Sequence, residues 1–454
     1  MNQPSIVKQT LATKLIRIEL RSRQDPSAVY SNLGHIIDMD LLQASYRSLD
    51  GHKAVGIDGV TKDTYGVNLG EKIADLLRRI RSGTYIPQPS RITEIPKSDG
   101  TKRPLAIACI EDKIVQEAVR QILERIYEPT FLDSSYGFRP GRNCHQALLS
   151  LDRDLMRNEV GAVLDVDIRK CFSSFPHEKL REILSEKITD KRFLHLVLKL
   201  IKAETINASG AVTKSRQGTP EGSILSPLLA NIFLHEVIDR WFAEFNRIKY
   251  LGQCTIIRYA DDIVFTAPSI EIANELRMEL ANRLQAYGLE LHADKTKVLE
   301  SGRRSAQLFA EQGNRMPTFT FLGFLHVWGK SRIRRTGKIF WRIKRRTCPK
   351  RFRAKLKGIK EYLRENRHRK DLIMRMKAVV QGYLNYFAIN DNSQRINQFV
   401  AEVRRLMFKW LNRRSQRRSF SWEEFARILE EVNFPKARIL HDLFFNSSAY
   451  RRVP

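Results

Sequence analysis

The sequence predicts an α+β fold on three observations. Short β-prone runs carry acidic residues among apolar ones, two of those runs flank an Ala-Asp-Asp turn, and a basic C-terminal third places apolar residues at helical spacing.

In chain order, residues 162–168 (AVLDVDI) form an apolar run with acids inserted, ended by a basic pair. Residues 254–259 and 263–266 are β-prone and separated by Ala260, Asp261 and Asp262, which predicts a hairpin with an acidic turn. Residues 272–287 follow as a helix, with Leu276, Leu280 and Leu284 four apart and Gly288 as C-cap. Residues 289–292 and 296–299 are expected to return as strands. Residues 330–360 hold 15 Lys/Arg and no Asp or Glu. Extended to residue 418, the run has 29 basic residues against 5 acidic ones, +24 of the net +29. Within it, Leu372, Met376, Val379, Val380, Tyr383 and Phe387 recur at helical spacing, so this part is expected to fold as amphipathic helix.

The 454 residues are 42% hydrophobic, enough for a large core and for two to four structural units. With 79 Lys+Arg against 50 Asp+Glu, the chain repels itself unless a polyanion neutralises it, and nucleic acid is the expected partner. No run of about 18 apolar residues points to a membrane. The five cysteines include no CxxC pair, which argues against zinc and a disulfide framework and fits a reducing compartment. The N-terminus lacks the apolar core of a secretory signal and reads as an amphipathic helix.

Tyr259-Ala260-Asp261-Asp262 stands out because both flanks are apolar. Adjacent carboxylates at a buried turn repel each other and lose hydration, an arrangement that cations relieve. Asp165 and Asp167 lie two apart on one face of the earlier strand, so one of them is expected to point toward this turn. Converging carboxylates suit Mg²⁺, which takes few protein ligands alongside substrate phosphates. Two such ions about 3.5–4 Å apart activate a primer 3′-hydroxyl and stabilise a pyrophosphate leaving group.

With these residues in view, the chain resembles a group II intron-encoded reverse transcriptase/maturase over most of its length. YADD at 259–262 is similar to the family's motif C, and VDIRKCF at 166–172 to its motif A. The resemblance selects Asp167 over Asp165 and implies metal contacts from Asp167, Ile168, Asp261 and Asp262. It implies nucleotide contacts from Ile168 and Tyr259. Phe172 takes the aromatic position that excludes a 2′-hydroxyl and so favours dNTPs over rNTPs. AVGIDGVT (54–61), IPKSDGTKRPL (95–105), IEDKIVQ (110–116) and SYGFRPGRNCHQAL (135–148) resemble the fingers motifs, with Lys97 and Arg103 on the triphosphate. GTPEGSILSPLLANIFLH (218–235) resembles motif B, implying contacts from Gly218, Pro220, Glu221 and Gly222. HADKT (292–296) resembles motif D, with Lys295 as catalytic proton donor to pyrophosphate. FTFLGF (319–324) resembles the primer grip and places Phe321, Leu322 and Gly323 on nucleic acid. Two departures stand out: Glu221 replaces the Gln usual in motif B, adding negative charge near a triphosphate, and SSFPH follows Phe172 where acidic strings are commoner, with His177 retained.

The implied architecture is a right-hand polymerase: fingers and a ferredoxin-like palm with an antiparallel sheet, followed by an α-helical thumb/maturase domain. Its expected parts are an N-terminal extension at 1–50, fingers and palm at 51–329, thumb/maturase at 330–414, and a C-terminal DNA-binding segment at 415–454. QGYLNYF (381–387) is similar to the maturase signature. At this density Lys and Arg track phosphates, with Lys344, Arg345, Arg346, Lys350 and Arg351 expected on RNA. Phe340, Trp341, Phe352 and Tyr362 are expected to pack rather than stack on bases. No Cys pair or His-Asn-His cassette follows, so the endonuclease domain of longer relatives is expected to be absent and the primer to come from elsewhere. The expected function is RNA-directed DNA synthesis with two Mg²⁺ ions (Mn²⁺ substituting), together with binding of intron RNA for splicing and retrohoming. The expected partners are intron and template RNA, DNA primer or target, and dNTPs, in a bacterial, nucleoid-associated cytoplasmic setting, with homodimerisation left open. The alternatives are a host role in DNA repair or phage defence, or a splicing-only RNA-binding maturase, against which the intact carboxylates argue.

Overall fold

The computed structural model describes residues 10–96, 102–157, 159–214, 217–332, 337, 339–414 and 420–443. Its strands are Ser90–Pro96 (β1), Lys102–Ile107 (β2), Ala162–Val166 (β3), Thr205–Ile206 (β4), Val212–Thr213 (β5), Thr255–Tyr259 (β6), Asp262–Ala267 (β7), Lys297–Glu300 (β8), Phe319–Phe321 (β9), Phe324–Arg332 (β10) and Ile339–Thr347 (β11). They form three sheets, ordered β2-β1-β4-β5, β6-β7-β3-β8 and β11-β10-β9. In the second sheet the chain order of the strands across the sheet is second, third, first, fourth. Helices intervene between its first and second strands and between its third and fourth, the ferredoxin-like arrangement. The fold is α+β, as expected.

The acidic hairpin forms where the sequence predicts it. β3 buries Ala162, Val163, Leu164 and Val166, the pattern of a strand covered on both faces, and pairs antiparallel with β8 from Ala162↔Glu300 to Asp165↔Lys297. The helix expected at 272–287 is Ile270–Ala286, with Leu276, Leu280 and Leu284 fully buried. After it, Gly288 turns at φ +75°, and a Cβ there would lie 2.6 Å from Pro176 Cγ. The strand expected at 289–292 does not form. Leu291 makes one bridge to Ile168, and His292 O then accepts from the N–H groups of both Lys295 and Thr296, closing a turn that ends the extended run.

By contact the chain divides into two units, Met1–Asn143, Val166–Ile263 and Glu275–Thr296 in one, and Cys144–Asp165, Val264–Asn274 and Lys297–Pro454 in the other. The first centres on the helix Ile110–Tyr127, whose Ile114, Val115, Ala118, Val119, Ile122 and Leu123 are wholly buried. Against it lies the helix Leu11–Gln24, with Ser22 Oγ donating to Ile126 O at 2.5 Å, so the described part of the expected N-terminal extension belongs to this core.

In the second unit the expected boundary at 329/330 falls inside β10, which pairs with β11 from Phe324↔Thr347 to Arg332↔Ile339. The basic run therefore begins as a hairpin, and its helices start at Pro349. The helices Pro349–Glu365, Leu372–Phe387, Ser393–Leu411 and Trp422–Glu431 share one core that includes Phe352, Met376, Tyr383, Phe399, Phe425 and Leu429. Phe352 packs, as expected. Trp422–Glu431 starts with a capping box between Ser421 and Glu424, and its Phe425 is wholly buried. The described part of the expected C-terminal segment at 415–454 thus shares a core with the preceding helices. No helix among the described residues is long and apolar enough to cross a membrane.

Candidate active site

The turn between β6 and β7 is built on a buried cation. Arg258, the last polar residue of an apolar strand, is 0% exposed. Its Nε and Nη2 donate to the two carboxylate oxygens of Asp239, at 2.8 and 2.5 Å, and its Nη1 donates to Asn231 Oδ1 at 2.9 Å and Ala260 O at 3.2 Å. Burial alone would raise the Asp239 carboxyl, but the Arg258 charge and hydrogen bonds hold it below the usual range. Asn231 in turn donates to Gly137 O at 2.7 Å, and a Cβ on Gly137 would lie 2.4 Å from Ala260 N. Backbone and buried side chains thus enclose Ala260, which sits at φ +57°, a left-handed conformation uncommon for alanine.

That turn delivers Asp261. Burial pushes its carboxyl above the usual range, and the negative charge of Asp167 adds to the rise. Asp167 follows the end of β3, where its backbone O accepts from His292 N at 2.8 Å and from Thr296 Oγ1 at 3.3 Å. Lys295 Nζ lies 3.5 Å from an Asp167 oxygen. Asp262, next in the chain, is exposed. Asp261 lies in the turn just before β7 and is the carboxylate that feels the charge of Asp167. Among the described residues no three His, Cys, Asp or Glu side chains gather closely enough to hold a metal ion by themselves. The pair still offers oxygen donors of the kind Mg²⁺ takes. Ile168 is buried and its side chain carries no donor atom, which leaves only its backbone carbonyl for the expected metal contact.

Beside the carboxylates, two segments are stitched together. Thr219 N donates to Phe172 O and Gly218 N to Phe175 O, both at 2.8 Å. Gly218 turns at φ +70°, and a Cβ there would lie 2.3 Å from Ser173 Cα. The ring of His177, wholly enclosed, bonds Gly218 O through Nε2 at 2.6 Å. Phe172 is half-buried and meets the exposed Phe138 edge-on, ring centroids 6.4 Å apart. Pro220, next to Thr219, and Tyr259, next to Ala260, are half-buried, and Pro220 O accepts from Ser226 Oγ at 2.9 Å. Arg103, on β2, pairs with Glu221 at 2.7 Å. Lys97 lies outside the described residues.

The expected nucleic-acid contacts separate into exposed and buried groups. Arg346, Lys350 and Arg351 are exposed, and Lys344 is half-buried with its Nζ on Lys330 O at 2.6 Å. Arg345 is 1% exposed, with Nη2 3.3 Å from Asp152 and 3.9 Å from Asp391 and Nη1 donating to Leu148 O. This corrects its expected place on RNA: β11 alternates faces, and Arg345 shares the inward one with Ile343 and Thr347. Phe321 and Leu322 are also buried, which leaves their main chain for the expected nucleic-acid contact. They form the bend between β9 and β10, where Leu322 and Gly323 turn at φ +49° and +78° and Tyr386 Oη donates to Leu322 O at 2.9 Å.

Sequence reasoning missed Arg258, Asp239, Asn231, Gly137 and Phe138. The one signal for this group was a charge in the apolar run CTIIR directly before the acidic turn.

The family model for reverse transcriptase (RNA-dependent DNA polymerase) matches residues 95–326, and that for the group II intron maturase-specific domain matches residues 349–427. The chain is 39% identical over 233 residues to the group II intron-encoded protein LtrA of Lactococcus lactis subsp. cremoris, a match covering 51% of this chain and 38% of that one. It is 33% identical over 288 residues to the Escherichia coli K12 protein YkfC, covering 55% of this chain and 74% of that one. Its match thus spans about two fifths of the length of LtrA.

Proposed function

The chain belongs to the reverse transcriptase (RNA-dependent DNA polymerase) family and carries a group II intron maturase-specific domain, and from that premise we propose that it copies RNA into DNA and binds an intron RNA to assist its splicing and mobility. The observation that carries the polymerase reading is the pairing of Asp167 with Asp261, whose carboxyl is pushed up by burial and then by the Asp167 charge, with Lys295 Nζ 3.5 Å from Asp167. Two acids that repel each other in a half-buried place favour divalent cations.

Asp167 and Asp261, with the Ile168 carbonyl and Asp262 at its margin, are the residues that would hold Mg²⁺. Held there, such ions would supply charge neutralisation at the triphosphate and a lowered pKa for a primer 3′-hydroxyl. The chain's own residues do the positioning. The Arg258 network fixes the turn that aims Asp261. Phe172, backed by Phe138, limits space at the sugar and favours dNTPs. Lys295 holds a proton beside Asp167, where the pyrophosphate would leave. In the second unit, the exposed Arg346, Lys350 and Arg351 supply phosphate contacts to RNA.

The test is primer extension on an RNA template with Mg²⁺ and dNTPs. Asp261→Ala with Asp262→Ala is expected to abolish extension while leaving RNA binding in place. Robust extension by that double variant overturns the site.

A further inference from the structure

Arg103 faces two anions at once. Its Nε lies 2.7 Å from a Glu221 carboxylate oxygen, and its positive charge also reaches Asp261. Both members of the pair are open to ligands, Arg103 being 54% and Glu221 30% exposed at the side chain. Their backbones are held together. Ala106 N, on the same strand as Arg103, donates to Glu221 O at 2.7 Å. Gly222 follows at φ +106°, where a Cβ would lie 2.7 Å from Ala106 O, so the segment bearing Glu221 is pressed against that strand. The pair is therefore a consequence of the local fold, rather than a chance meeting of two long side chains.

A guanidinium beside the carboxylates is a natural partner for a triphosphate, which it grips in a bidentate fork. Here its Nε is already engaged by a carboxylate. Resting on the polymerase reading above, we propose that Glu221 masks Arg103 in the nucleotide-free enzyme. Nucleotide entry is then an exchange, in which phosphate oxygens displace the Glu221 carboxylate from the guanidinium. The displaced carboxylate stays tethered nearby and repels the incoming charge. Glu221 thereby sets nucleotide affinity, and it filters ligands by charge, because only a highly charged phosphate chain with its cations competes well for Arg103. A glutamine at this position keeps the shape, loses the charge and leaves the fork open.

Single-nucleotide primer extension on RNA separates this from a bystander role, using wild type, Glu221→Gln, Glu221→Asp, Arg103→Ala, and Glu221→Gln combined with Arg103→Ala. Glu221→Gln is expected to lower the dNTP KM by about threefold to tenfold, the size of coupling usual for contacting charges. Glu221→Asp keeps the charge on a shorter arm and is expected to give a dNTP KM between those of wild type and Glu221→Gln. In the Arg103→Ala background the benefit of Glu221→Gln should vanish. Added salt should narrow the gap between wild type and Glu221→Gln, because the pair is exposed. A KM that is unchanged or raised in Glu221→Gln overturns the mask, as does an equal fall in the Arg103→Ala background. A wild-type enzyme inert with dNTPs on primed RNA overturns the polymerase reading instead.

Discussion

Arg258 and Asp239 form a two-pronged ion pair, both side chains 0% exposed, whose guanidinium also holds the carbonyl of Ala260 at the turn that bears Asp261. Neither residue is placed to touch substrate. Their importance lies in what a buried, fully bonded charge does to its surroundings: it fixes one geometry and makes others costly.

Removing one partner strands the other charge in the core. Asp239→Ala is expected to cost about 3–5 kcal/mol of stability. Arg258→Lys keeps the charge and loses the fork, so it should cost less stability but still let the turn drift. Urea unfolding together with the Mg²⁺ dependence of primer extension checks both. An Arg258→Lys enzyme with wild-type Mg²⁺ dependence would show that the turn holds itself.

Gly137 gives a sharper probe of the same turn, because the clash is with backbone. A Cβ there would lie 2.4 Å from Ala260 N and 2.9 Å from Tyr259 C. Gly137→Ala should reduce kcat by at least about tenfold while costing about 1–3 kcal/mol of stability, the range for overpacking. Chain melting and extension rates, read side by side, separate the two effects.

The pH dependence of stability has an identifiable source in the second unit. His326 is 1% exposed and stacked on Phe319, with ring centroids 4.6 Å apart. Burial, and then the Arg345 charge, pushes its pKa down from 6.5 to about 3. Between those values the unfolded chain takes up a proton that the folded chain refuses. The contribution of His326 is therefore intact above 6.5 and lost as pH falls toward 3. His326→Phe should flatten the slope of unfolding free energy across that window, which urea midpoints at about pH 7.5 and about pH 4.5 measure.

On the basic hairpin and the helix after it, neighbouring cations should behave in opposite ways. Neutralising Arg346, Lys350 and Arg351 is expected to weaken RNA binding and flatten its log–log salt slope by about 0.7–0.9 for each phosphate no longer neutralised. Arg345→Gln should leave the slope unchanged and lower the melting temperature, because it breaks a buried pair with Asp152. Filter binding across a salt series and a thermal melt decide between surface and core for each residue.

Much of the fold is legible in the sequence because its signals are local. The acidic hairpin, the helix with Leu276, Leu280 and Leu284, and the amphipathic basic helices each follow from spacing within one segment. What escapes depends on distant partners. Asp239 reads as a surface acid until Arg258, nineteen residues later, is folded against it. Residues 289–292 read as a strand, but the turn at His292 removes the length a ladder needs. Arg345 reads as an RNA contact when charge density is weighed without periodicity. The alternation Ile343, Arg345, Thr347 is present in the sequence and marks it as inward-facing.

The stitching of Gly218 and Thr219 to the backbone beside Phe172 has a bearing on how this enzyme can change. Phe172 and the Gly218 segment are joined by hydrogen bonds through their main chains, so they cannot be tuned as separate dials. A replacement for Phe172 that shifts its backbone is expected also to shift the Gly218 segment. Variants selected for altered sugar choice should accordingly carry paired substitutions, one on each side of the seam, and single steps along that route should be costly.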